Sequence, residues 1–281
     1  MIKNILKGMV MGMANIIPGV SGGTMAVSMG IYDKLIHCIT HLFKEFKESV
    51  KFVLPIGIGM VIALVGLSFV ITPAFEYFPL QTNGLFIGLI VGGLPAVWKK
   101  VKGNSIKISH VIPCLLFFAL VIGMAAMGES EGAAADLSLS FISIIKMFVV
   151  GIIASATMVI PGVSGSMMLL VLGYYNPIVA TIKEFVEALV SFNIPELFRC
   201  CGILVPMGIG IVVGIFAIAK LIEIIFAKFP LQAYWAIIGL IVASPFGILM
   251  VSELGTITVV NVIASFVTFV IGFAVAMKLG E

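Results

Sequence analysis

Long apolar runs, each closed by a small group of charges, alternate along this chain with short polar breaks, and two of the breaks are nearly identical. The first reads Ile16-Ile17-Pro18-Gly19-Val20-Ser21-Gly22-Gly23-Thr24, the second Val159-Ile160-Pro161-Gly162-Val163-Ser164-Gly165-Ser166-Met167. Proline removes a backbone donor there and glycine favours conformations that a helix interior excludes, so a helix must stop. The apolar run before the first break is too short to cross about 30 Å of hydrocarbon at about 1.5 Å per residue. The pattern therefore predicts a re-entrant hairpin over 5–31 with the break at its tip, then spans at 52–71, 80–98 and 111–127. A second hairpin over 147–175 and spans at 202–222, 233–251 and 257–277 follow.

The halves echo each other beyond the breaks. Pro55-Ile56-Gly57-Ile58-Gly59 returns as Pro206-Met207-Gly208-Ile209-Gly210, Phe78-Pro79-Leu80-Gln81 as Phe229-Pro230-Leu231-Gln232, and Gly88-Leu89-Ile90-Val91 as Gly239-Leu240-Ile241-Val242. The expected fold is an all-α integral membrane protein, a single membrane domain over 1–281 built from repeats 1–128 and 143–281. Each repeat holds one hairpin and three crossings. Three is odd, so the repeats should be inverted relative to one another. His37 to Lys51 and Lys183 to Arg199 interleave apolar and charged positions and are expected to lie along the membrane surface.

Composition fits this and removes other classes. Of 281 residues 61% are hydrophobic and 10% charged, with a mean hydropathy of +1.26. That excludes an ordinary soluble domain. The small excess of 16 Lys+Arg over 13 Asp+Glu is no nucleic-acid signal; it orients the helices. With the N-terminus cytoplasmic, the crossings leave outside only Lys146, Lys183 and Arg199 among the cations. Most acids then lie there too: Glu76, Glu129, Glu131, Asp136, Glu184, Glu187, Glu196 and Glu253. A multi-pass protein of the cytoplasmic membrane with both termini cytoplasmic is expected, with no cleavable signal peptide. Cys38, Cys114, Cys200 and Cys201 have no C-x-x-C spacing and read as apolar fillers.

Inverted hairpins let two tips meet near the bilayer midplane, and the tips carry donors without any carboxylate. Ser21, Thr24, Ser164 and Ser166 offer hydroxyls, Gly19, Gly22, Gly23, Gly162 and Gly165 allow close approach to the backbone, and Asn15 and Thr157 stand about one turn before the prolines. Such a set suits an anion. The competing reading is that small residues only permit tight helix crossings. Arg199, the single arginine, is either a phosphate fork at the outer face or an interfacial anchor. Lys220 and Glu223 read as an ion pair, with Glu223 as a coupling group the alternative. His37 and His41 share a helix face, but a metal site there is not expected, nor is any other cofactor.

The paired Pro-Gly-Val-Ser-Gly tips, with Gly12-Met13-Ala14-Asn15 leading into the first, resemble the polyprenyl-phosphate transporters of the PopT type, long grouped as a membrane domain of unknown function. The resemblance runs over essentially the whole chain. It implies return of undecaprenyl phosphate, the lipid carrier of envelope-polymer synthesis, from the outer to the inner leaflet. The head group would sit at the tips, the repeats would rock to give alternating access, and the coupling ion, proton or sodium, is left open. The second copy departs from the first, with Ser166-Met167 where Gly23-Thr24 stand. Undecaprenyl-pyrophosphate phosphatases are similar in architecture but carry Arg after the motif serine. Here Gly22 and Gly165 occupy that place and no His or acid lies in either break, so no catalytic residue is expected. A channel or transporter for a small soluble anion is the third alternative.

Overall fold

Proline at the first helical position opens two long helices in the same way. Phe78 and Phe229 precede them with φ/ψ of −134°/53° and −134°/55°, and the missing proline N–H is one a helix start leaves unbonded anyway. The computed structural model describes residues 1–16, 21–127, 135, 137–163, 165–252 and 254–280, the side chains of 16, 67–69, 71 and 72 excepted. Among these residues the chain is helical throughout its ordered elements, with no strand.

The first half begins with α1 (Ile2–Ile16), α2 (Gly22–Ser28) and α3 (Tyr32–Thr40). Then α4 (Phe46–Ile62) passes through a π-helical turn, Ala63–Leu67, into α5 (Ser68–Tyr77), followed by α6 (Pro79–Val91), α7 (Leu94–Val101) and α8 (Ile108–Met127). The second half holds α9 (Phe141–Val159), α10 (Gly165–Val171), α11 (Tyr175–Val190), α12 (Ile194–Lys228), α13 (Pro230–Val251) and α14 (Val259–Gly280). Seven helical stretches of the described residues are long and apolar enough to cross a membrane: Phe46–Gly66, Pro79–Val101, Ile108–Met127, Phe141–Val159, Ile194–Lys228, Pro230–Val251 and Val259–Gly280. On α14, Val260, Ile263, Phe266, Val267 and Val270 are all exposed, an outward apolar face that only lipid makes favourable. The chain is a multi-pass membrane protein.

Charges proved poor markers of helix ends. The expected surface segment His37 to Lys51 is divided: α3 ends at Thr40, and Lys47, Glu48 and Lys51 form the first turns of α4. Likewise α12 starts at Ile194 rather than 202, taking Glu196 and Arg199 into its opening turns. Helix α9 starts at Phe141 and runs through Lys146, which makes it long enough to span where a short hairpin arm over 147–160 was expected. Long charged side chains reach the interface from inside a helix, so a charge bounds the hydrocarbon without ending the hydrogen-bond ladder.

Contacts divide the chain into two compact units. The first comprises Met1–Gly128, Ile160–Val163 and Ala219–Glu281, the second Glu129–Val159 and Ser164–Ile218. In the first unit α1 packs on α4, α6 on α14 and α8 on α13. Glycine sets the distance at each crossing. A Cβ on Gly8 would fall 2.0 Å from Ile56 O, one on Gly59 2.0 Å from Ile5 O, one on Gly88 2.1 Å from Phe269 O, and one on Gly239 2.1 Å from Cys114 O. Backbones can touch there only because the side chain is absent. In the second unit α9 meets α12 by the same device, with Gly151 against Met207 O and Gly210 against Phe148 O. Met147, Val150, Ile178, Ile203 and Met207 form the core of that unit, and α10 turns by 107° into α11.

Candidate functional site

At the first break the chain enters α2 through Ser21, extended at φ −117° and ψ 137°, whose Oγ accepts the Gly23 N–H at 3.1 Å. Asn15, from the last turn of α1, reaches across so that its Oδ1 accepts the Gly22 N–H at 3.0 Å. Side chains thus satisfy two of the N–H groups that a helix start leaves open. Every residue of α2 is buried. Its other end is also held: Ser28 Oγ donates to Ile90 O at 3.2 Å, and Lys7 Nζ donates to Met29 O at 3.0 Å. Gly19 lies outside the described residues.

Lys7 is the residue that sequence reasoning missed here. It counted only as one of the cytoplasmic-side lysines, yet its side chain is 7% exposed and holds a carbonyl at the end of α2. A cation suits that place, because a helix C-terminus carries partial negative charge. Its position inside the apolar run of α1 was the available signal. The π-helical turn was also unforeseen; Ala63 within it is fully buried, and a Cβ on Gly12 of α1 would fall 2.8 Å from the Ala63 Cβ. Such turns are frequent at functional sites.

The second break is built differently. Gly162 has φ +78°, a conformation glycine adopts without strain, and its N–H donates to Thr24 Oγ1 at 2.7 Å. Gly162 therefore reaches the first break across 138 residues of sequence, inside the first compact unit. Thr24 is 1% exposed. Because its Oγ1 accepts, its own O–H stays available to donate. Thr157 turns back on its own helix, donating to Ala154 O at 2.8 Å. A Cβ on Gly165 would meet Met158 Cγ at 2.7 Å and Thr157 Oγ1 at 3.5 Å, so Gly165 and Thr157 are neighbours. Ser166 stands in the first turn of α10, and Ser164 lies outside the described residues.

Arg199 is not gathered with these groups. Its guanidinium is held by Glu196 Oε1 at 2.6 Å and by Glu184 Oε2 at 2.5 Å. Lys220 and Glu223 pair as expected, at 2.6 Å. Folding adds what spacing hid: the other oxygen of Glu223 lies 3.4 Å from His41 Nδ1, and the His37 and His41 rings stack with centroids 4.2 Å apart. Atoms of His37, His41 and Glu223 that could ligate a metal lie within 4.8 Å of one another. Lys220 and Glu45 already bond Glu223 and His37, which makes the cluster a hydrogen-bonded network. Burial pushes the Cys38 thiol pKa up, in keeping with an inert apolar filler.

A cavity of about 300 Å³ opens beside the end of α2, lined among others by Val27, Asp33, Lys99, Lys100, Tyr234 and Ile237. Tyr234 donates its hydroxyl to Asp33 Oδ2 at 2.8 Å, and Trp98 meets Trp235 edge-on at 5.9 Å. The cavity therefore has an apolar wall and a polar, mostly basic rim.

A family model described as VCA0040-like, undecaprenyl phosphate translocase-like, matches residues 11–244 of the chain. The chain belongs to this family. Within the curated proteins it is similar to a polyprenyl-phosphate transporter of Staphylococcus aureus, 35% identical over 281 residues, covering 99% of this chain and 95% of that protein. A polyprenyl-phosphate transporter of Vibrio cholerae is 28% identical over 199 residues, 66% of this chain and 61% of the relative. No solved structure matches. The region shared with the translocase-like family takes in both breaks, the Thr24 to Gly162 link and the cavity beside α2, apart from the cavity's C-terminal edge.

Proposed function

We propose that the chain transports a polyprenyl phosphate, undecaprenyl phosphate in particular, from the outer to the inner leaflet of the cytoplasmic membrane. The observation that carries the reading is the Thr24 to Gly162 hydrogen bond, which joins two breaks that are far apart in sequence. The names of the relatives point to the same substrate. Hydroxyls and main-chain N–H groups around the junction replace the hydration of the phosphate while the prenyl tail stays in lipid. A phosphate cannot cross hydrocarbon unaided, because burying its charge is costly.

Alternating access comes from two inverted repeats, and the helix crossings support that division. Gly8 on Ile56 O and Gly59 on Ile5 O in the first unit correspond to Gly151 on Met207 O and Gly210 on Phe148 O in the second. The pairs α6·α14 and α8·α13 likewise use the matched residues Gly88 and Gly239. Both termini lie in the cytoplasm. In keeping with that, Asp33, Lys99, Lys100 and Tyr234 gather at one cavity, whereas Gln81 and Asn261, near the ends of α6 and α14 that this topology puts outside, bond to each other at 3.1 Å. The protein is not an enzyme: the breaks hold no Arg, His or carboxylate to neutralise charge and move a proton in phosphoryl transfer.

The test is a leaflet-specific assay of undecaprenyl phosphate in proteoliposomes, run with and without proton and sodium gradients. Faster movement than in protein-free vesicles is expected, and a dependence on one gradient would name the coupling ion. Movement at the protein-free rate under every gradient overturns the reading. Release of inorganic phosphate from undecaprenyl pyrophosphate by the purified protein would replace it with the enzyme.

A further inference from the structure

Asn83 on α6 is 1% exposed, and among the described residues neither its Oδ1 nor its Nδ2 has a hydrogen-bond partner. A carboxamide kept in an apolar interior without a partner is costly to folding. Its neighbours on α6 show which way it faces. Gly84, Gly88 and Gly92 meet Ser265, Phe269 and Phe273 of α14. Thr82 donates to Ala74 O on α5 at 2.9 Å, and Phe86 stacks on Phe75. Ile90, whose carbonyl takes the Ser28 hydroxyl of α2, lies seven residues beyond Asn83, and that spacing returns to within about 20° of the same helix face. Asn83 is on the α2 side.

Depth follows from helix direction. Trp98 lies against Trp235 and Lys100 over the Tyr234 ring, so α6 and α7 run antiparallel to α13. Val27 and Ile237 line one cavity, while Thr24, earlier on α2, binds Gly162, which abuts Leu240, later on α13. Hence α2 is also antiparallel to α13, and parallel to α6. Stepping back from Ser28 to Gly22, and from Ile90 to Asn83, moves about 9 Å and about 10.5 Å along the two helices at about 1.5 Å per residue. The amide stands level with Ser21 and Gly22.

We infer that Asn83 is a head-group-binding residue, with Nδ2 donating to a phosphate oxygen at the first break and Oδ1 able to accept from a protonated P–OH. The inference rests on the transport reading above and adds a third element, α6, to the site. A neutral amide suits the task, since it recognises an anion without placing a fixed charge at membrane depth, where charge is expensive. The equivalent position of the second Phe-Pro-Leu-Gln segment is Tyr234, which lines the cavity beside α2. The same place in both segments thus faces the other elements of the site.

The experiment compares wild type with Asn83→Leu and Asn83→Ala for transport of undecaprenyl phosphate in proteoliposomes. It also compares the rise in thermal midpoint of purified protein on adding undecaprenyl phosphate or undecaprenol. Expected is a loss of at least about tenfold in apparent affinity for the phosphate, as for a hydrogen bond to a charged group. The midpoint without lipid should be unchanged or higher, and the small response to undecaprenol should be kept. Retained affinity in Asn83→Leu overturns the inference while leaving the transport reading intact. Failure of both variants to fold makes Asn83 structural and also overturns it. A wild type that neither moves nor binds the phosphate overturns the transport reading itself.

Discussion

The two breaks share Pro-Gly-Val-Ser-Gly, yet they satisfy their backbones by different means. In the first, side chains local to the hairpin do the work: Asn15 takes the Gly22 N–H and Ser21 takes the Gly23 N–H. In the second, the Gly162 N–H is taken by Thr24, which belongs to the first. The link has no mirror image, because the residue matching Thr24 is Met167, which has no hydroxyl. The departure of Ser166-Met167 from Gly23-Thr24 is therefore where the two copies of the motif differ in what they can bond. The second break takes its partner from the first.

That contrast can be broken or sharpened by substitution. Thr24→Val should have the largest effect, since it strands the part-buried N–H of Gly162; a loss of roughly 2 kcal/mol is expected. It would be read as a lower thermal midpoint of the purified protein in detergent, with Thr24→Ser restoring most of it. A Thr24→Val protein as stable as wild type would mean the breaks are independent. Next comes Gly162→Ala, at about 1–2 kcal/mol, because φ +78° is strained for any residue with a Cβ. The same change at Gly165 meets the movable Met158 Cγ at 2.7 Å and Ala154 O at 3.3 Å without a left-handed backbone, and should cost less. If the two alanines are equally harmful, the second break does not depend on the left-handed turn.

Asn15→Ala should follow at about 1 kcal/mol through the exposed Gly22 N–H, visible as faster hydrogen exchange at Gly22 and Gly23. Thr157→Val should be smallest, a few tenths of a kcal/mol in either direction, because that hydroxyl only back-bonds its own helix. A large loss of transport without loss of stability in Thr157→Val would return Thr157 to the head-group contacts. It would also make the second break the more important binding element.

Much of the arrangement could be read from residue order. Apolar runs located the long helices, though α9 was expected to be a shorter arm, and proline and glycine located the breaks, because both signals are local and strong. The twin Phe-Pro-Leu-Gln segments do open matching helices at Phe78 and Phe229. Helix starts at Phe46, Phe141 and Ile194 were misjudged, since interfacial charges are compatible with continued helix. Within the candidate site, Asn15, Ser21, Gly22 and Thr24 were legible from the motif. Lys7 and Asn83 were not, because a lysine or asparagine near the end of an apolar run looks like an interface residue until packing buries it.

By itself, the order of residues determined that this chain lives in a membrane, which apolar runs form helices, and that two breaks interrupt them. Those properties depend on hydrophobicity and backbone stereochemistry, which act over a few residues at a time. Only the tertiary structure decided that Gly162 bonds Thr24, that Arg199 is held by Glu184 and Glu196, and that Asn83 is buried with its amide unpartnered among the described residues. Each of these depends on which helix faces which and at what height, and that is set by the glycine-to-carbonyl crossings between segments far apart in the chain.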